Sequence, residues 1–133
     1  MSDVVGASIG VLVVDDQDPF RRAMSAVVDA TEGFAVIGVV ASGEESVSAV
    51  AELAPDLVLM DVHLPGIDGI EATRRICRAV GAPVVVLLST YDEDDVDLSG
   101  CGAAAYVPKA QLSPDRLAEV WSSAGPRKAR PGT

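Results

Sequence analysis

The chain has 133 residues, 20 of them acidic and 10 basic, for a formal charge of −10. At 49% hydrophobic it holds enough apolar material to bury a core, which excludes a solvated acidic tail, and its length suits one domain. Three of the ten basic residues fall in the last seven positions, so the body ahead of them lacks the clustered cations that nucleic acid needs; a metal cation or a basic partner suits it better.

Short, nearly continuous apolar runs predict strands buried on both faces, alternating with amphipathic helices. The first strand spans Val11 to Val14 and ends in Asp15 and Asp16. Asp18, as a cap before Pro19, opens a helix whose stripe is Phe20, Met24, Val27 and Val28. A strand from Phe34 to Val40 follows, then Ser42 and Glu45 at capping-box spacing and a stripe of Val47, Val50, Ala51 and Ala54. The third strand, Leu57 to Met60, ends at Asp61, and Asp68 with Glu71 caps the next helix. Val84 to Leu88 ends in Ser89 and Thr90; Ala103 to Val107 leads to Lys109. Ser113-Pro114 opens a last helix with Leu117, Val120, Trp121 and Ala124 on its apolar side. Residues 1–8 read as an N-terminal extension, 9–124 as the domain, and 125–133 as a flexible tail or truncated linker.

Strict alternation of five strands and helices predicts an α/β doubly wound parallel sheet. Met1-Ser2-Asp3 has no positive n-region and no apolar run reaches bilayer-spanning length, so the expectation is a cytoplasmic protein without membrane contact. Cys77 and Cys101, without Cys-x-x-Cys spacing, read as buried, reduced thiols.

In such a sheet, ligands gather at the carboxyl ends of the strands. In the flavodoxin-like order 2-1-3-4-5, strands 1 and 3 are neighbours, which brings Asp15, Asp16 and Asp61 together with Ser89 and Lys109. Two carboxylates about 4 Å apart repel by roughly 4 kcal/mol at an effective dielectric of 20. One lysine is too little for three acids. A hard divalent cation fits an oxygen-only donor set, and magnesium is expected over zinc.

The run Asp61-Val62-His63-Leu64-Pro65-Gly66-Ile67-Asp68-Gly69-Ile70-Glu71-Ala72 resembles the phosphoacceptor loop and third helix of the receiver domains of bacterial two-component response regulators. The acidic pair, the Ser-Thr after strand 4, and an aromatic three residues before a lysine extend the resemblance over about positions 9 to 124. Leu88-Ser89-Thr90-Tyr91-Asp92 is most similar to the subgroup carrying helix-turn-helix effectors.

The resemblance implies that Asp61 is phosphorylated by a histidine kinase and that Asp16 is the main direct metal ligand, with Asp15 direct or through water. It further implies that the backbone carbonyl of His63 is another ligand, that Ser89 and Lys109 meet the phosphoryl group, and that Ser89 and Tyr106 form the switch toward an effector or a homodimer. Five helices are implied, the fourth, over Tyr91 to Gly100, being short because only 17 positions separate Ser89 from Tyr106. Self-dephosphorylation would be slow, so the chain is not expected to be an enzyme. Two alternatives stand beside this: a magnesium-dependent phosphohydrolase of the haloacid dehalogenase type, since Asp16-Gln17-Asp18 also reads as Asp-x-Asp, and a degenerate receiver serving only as an interaction module.

Overall fold

A computed structural model describes residues 8–90 and 100–128. Its elements are β1 (Ile9–Val14), α1 (Asp18–Asp29), β2 (Phe34–Val40), α2 (Gly43–Leu53), β3 (Leu57–Asp61), α3 (Gly69–Cys77), β4 (Val84–Ser89), β5 (Ala105–Pro108) and α4 (Pro114–Lys128), with a 3₁₀ turn at Lys109–Gln111. The five strands form one parallel sheet in the order β2-β1-β3-β4-β5, as expected. Four helices, not five, occur among the described residues; most of the segment expected to form the other, 91–99, lies outside them.

Helices cover both faces of the sheet. Met24 and Val28 of α1 and Leu117, Val120 and Ala124 of α4 pack on one core with Val11, Val13, Leu57, Leu59 and Val86. Ala49 of α2 and Ala72 and Ile76 of α3 pack on the other with Leu12, Val14, Val58, Met60 and Leu87. Every residue of β3 and β4 is buried, which explains the unbroken apolar runs Leu57 to Met60 and Val84 to Leu88. Trp121 serves packing: its ring meets Phe34 edge-on, centroids 6.3 Å apart.

Several local expectations need correction. The N-cap of α1 is Gln17, without a side-chain cap, and Asp18 is the first helical residue. In α2 the buried face is Gly43, Ser46 and Ala49, with Val47 and Val50 half-buried, whereas Ala51 and Ala54 are exposed. Small residues hold that face because α2 sits close to its neighbours: a Cβ on Gly43 would come within 2.8 Å of the Ile67 carbonyl oxygen. Helix α4 continues past Ala124 to Lys128, into the expected tail. The other caps are as read: Ser42 accepts from Glu45 N at 3.1 Å, Asp68 from Glu71 N at 2.8 Å, and Ser113 from Arg116 N at 3.1 Å.

Candidate functional site

The sheet register carries the acids to one edge. Asp61, last in β3, lies beside Leu88, and Ser89, last in β4, lies beside Pro108, so Lys109 leaves β5 at the same level. Val14 pairs with Met60, which puts Asp15 and Asp16 one step beyond, next to Asp61. Carboxylate oxygens of Asp15, Asp16 and Asp61 lie within 4.8 Å of one another. All three predicted acids therefore meet in one place.

Their surroundings differ. Asp15 is fully buried: Oδ1 accepts from Gln17 N at 2.9 Å and Oδ2 from Lys109 Nζ at 2.6 Å. Asp16 is exposed at the mouth. Asp61 is 4% exposed, and Lys109 Nζ lies 3.4 Å from its Oδ1. Burial, followed by the charge of Asp15, pushes the Asp61 carboxyl from 3.8 up to about 6, against the opposing pull of Lys109 and the His63 amide. His63 contributes that amide at 3.4 Å from Asp61 Oδ1, while its side chain is exposed. Ser89 is fully buried, and Tyr106 is half-buried on β5 against the core shared with α2 and α3.

The loop after Asp61 is held by its backbone. Val62 N donates to Leu88 O at 2.9 Å and Gly69 N to Val62 O at 2.8 Å. Gly66 adopts φ +73, and the Glu44 carboxylate of α2 accepts from Ile67 N at 3.2 Å, which fastens the loop's far side.

Two contributors were not singled out in the sequence. Phe20, read as core stripe, places its ring 3.8 Å from Lys109 Nζ and lines a cavity of about 280 Å³ with Met24, Val27, Ser89, Pro108 and Leu112. Arg21 donates from Nη1 to the Asp15 carbonyl at 2.9 Å and from Nη2 to Asp18 at 3.2 Å, bracing the acidic turn. An arginine one helical turn beyond the acids was the available signal; the Phe20–Lys109 contact has none, being tertiary.

The donor chemistry fits a hard divalent cation: three carboxylates supply oxygens at close range, with one ammonium among them. Asp18, the second acid of the Asp-x-Asp alternative, is instead exposed and paired with Arg21 and Arg22 at 3.2 and 3.0 Å.

The model of the response regulator receiver domain matches residues 11–121. The transcriptional regulatory protein LiaR of Bacillus subtilis is 38% identical over 103 residues, 76% of this chain and 49% of that protein. The response regulator GacA of Pseudomonas viridiflava is 44% identical over 103 residues, 76% of this chain and 48% of GacA. A two-component response regulator of the LuxR family from Aurantimonas superposes with a TM-score of 0.77 at 29% identity, covering 87% of this chain and 84% of that one. The chain spans about half the length of the curated relatives it matches. With its strand order and its edge of acids and lysine, it belongs to the response regulator receiver domains.

Proposed function

We propose that Asp61 accepts a phosphoryl group from a sensor histidine kinase and that the modified domain changes its affinity for a downstream effector. The observation carrying this is the convergence of Asp15, Asp16 and Asp61 within 4.8 Å, with Lys109 at 3.4 Å from Asp61. An Asp61 oxygen attacks phosphorus, the bond from phosphorus to the donor imidazole breaks, and its electron pair returns to that nitrogen. Lys109 holds positive charge beside the incoming phosphoryl oxygens, and Ser89 supplies a hydroxyl from the neighbouring strand end.

Magnesium is the proposed cofactor. Asp16, Asp61 and the His63 carbonyl would hold it, with Asp15 direct or through water because both Asp15 oxygens already accept protein hydrogen bonds. When bound, such a cation neutralises charge on the transferring oxygens. Tyr106 and Ser89 would form the switch: movement of Ser89 toward the phosphoryl group vacates space for the Tyr106 ring, and β5 carries the change to a partner, an effector domain or a second copy. A cytoplasmic location completes the proposal; no helix among the described residues is long and apolar enough to cross a membrane.

Intact-mass measurement after incubation with magnesium and a small phosphodonor tests it. One added phosphoryl group, absent in Asp61→Asn, is expected. Rapid turnover of a phosphomonoester dependent on Asp16 would instead support a hydrolase.

A further inference from the structure

We propose that Cys77 and Cys101 form an oxidation-dependent disulfide that ties the end of α3 to the segment entering β5. They are the chain's two cysteines, separated by a long stretch of sequence, and the fold brings both into one hydrophobic cluster. Cys77 is the last residue of α3, and its Sγ lies 3.5 Å from the Gly102 carbonyl oxygen as donor. A Cβ built on Gly102 would lie 2.8 Å from Cys77 Cβ and 3.0 Å from its Sγ, so the Cys77 side chain rests on the Gly102 backbone. Cys101 precedes Gly102, its Cα about 3.8 Å away along the chain. Both side chains join the core on the α2 and α3 face. A disulfide needs Cα atoms roughly 4.4–6.8 Å apart, a span within reach of a residue adjoining that contact.

Alignment of the two Cβ vectors is helped by the residues around Cys101. Gly100 and Gly102 adopt φ +71 and +97, so the cysteine hangs between two glycines whose torsions are the least restricted of any residue. The glycine at 102 also leaves room for the Cys77 side chain, which any larger residue would displace.

Exposure divides the roles. Cys77 is half-buried and meets solvent, whereas Cys101 is 2% exposed. With hydrogen peroxide as oxidant, the Cys77 thiolate attacks one peroxide oxygen, the O–O bond breaks, and Cys77 becomes a sulfenic acid with release of hydroxide. The Cys101 sulfur then attacks Cys77 Sγ, the S–O bond breaks, and water leaves with the Cys101 proton, so two thiols have lost two electrons to the peroxide. Disulfides in reducing compartments are transient and regulatory, as a bond at a glycine-flanked edge would be. The cross-link does not depend on the phosphoacceptor reading.

The reduced protein, treated with hydrogen peroxide, quenched and alkylated, provides the test. A loss of about 2 Da, no alkylation at either cysteine, a Cys77–Cys101 linked peptide, monomeric migration without reductant and recovery with dithiothreitol are expected. In Cys101→Ala, which suits the buried position, and in Cys77→Ser, the 2 Da loss should vanish, with Cys101→Ala passing instead to sulfinic acid or intermolecular dimers. Wild-type protein that gives only dimers or separate oxygen adducts, at the rate seen in Cys101→Ala, would overturn the proposal.

Discussion

Lys109 reaches back 94 positions to Asp15, Nζ to Oδ2 at 2.6 Å, and the pair is almost wholly sealed, with side chains 9% and 0% exposed. The lysine is thus held mainly by the acid that follows β1 and only secondarily, at 3.4 Å, by Asp61. Removing one partner of a buried pair leaves the other charged in a low dielectric, at a cost of about 3–5 kcal/mol. Lys109→Met is therefore expected to lower unfolding stability by about that amount in chelator, and by clearly less in magnesium, which would replace the missing positive charge. Urea titrations under both conditions check this; an equal loss in each would mean the cation does not share the lysine's task.

Magnesium should raise the melting temperature of the wild-type domain, because a ligand bound only by the folded state stabilises it, by about 2.7 kcal/mol at a hundredfold excess over Kd. Asp16 is one of three carboxylates crowded within 4.8 Å, so Asp16→Asn should melt no lower than wild type in chelator, its repulsion being removed, while most of the magnesium shift disappears. Thermal unfolding with and without the ion separates the two effects. An undiminished shift in Asp16→Asn would place the ion elsewhere.

Much of this site was legible in the sequence because strands of a parallel sheet end together: once the order 2-1-3-4-5 is accepted, Asp15, Asp61, Ser89 and Lys109 follow from strand ends alone. Helix stripes of large residues were equally plain in α1 and α4. The α2 stripe was misjudged because its buried residues are Gly43, Ser46 and Ala49, whose sizes rather than polarity put them inside. Likewise, no local pattern says that Lys109 rests on Phe20 or prefers Asp15 to Asp61, since these are choices among side chains that meet only in the folded chain.

The Asp61 carboxyl, raised from 3.8 to about 6, makes stability depend on pH with a definite sign. Its folded-state pKa is the higher one, so between those values the folded state keeps a proton the unfolded chain has lost, and stability falls as pH rises. The displacement corresponds to roughly 3 kcal/mol of stability, fully present below the unfolded value and fully lost above the folded one. Since other acids titrate nearby, the expected readout is a difference: in chelator, Asp61→Asn should gain stability over wild type progressively from about pH 4 to 7, then remain ahead. Denaturant titrations across that range check it, and a constant difference would show that Asp61 ionises as freely folded as unfolded.

Gly69 is where the loop after Asp61 closes on its own strand. A Cβ there would stand 2.0 Å from the Asp61 carbonyl oxygen and 2.9 Å from Val62 Cα, contacts with backbone that no rotamer change relieves. In the same turn Gly69 N donates to Val62 O at 2.8 Å, so the methyl group cannot be accommodated without breaking the bond that sets the loop's path. Alanine is otherwise the better helix former by about 1 kcal/mol, and propensity alone predicts that Gly69→Ala stabilises α3. The clash reverses the sign: overpacking against fixed atoms costs about 1–3 kcal/mol or more, and the displaced peptide carries the Asp61 carboxylate with it. Gly69→Ala should therefore melt lower than wild type and also lose most of its magnesium-induced stabilisation, whereas Gly81→Ala, at a position with φ +75 but nothing within 4 Å, should lose stability through backbone strain and keep the full response to the ion.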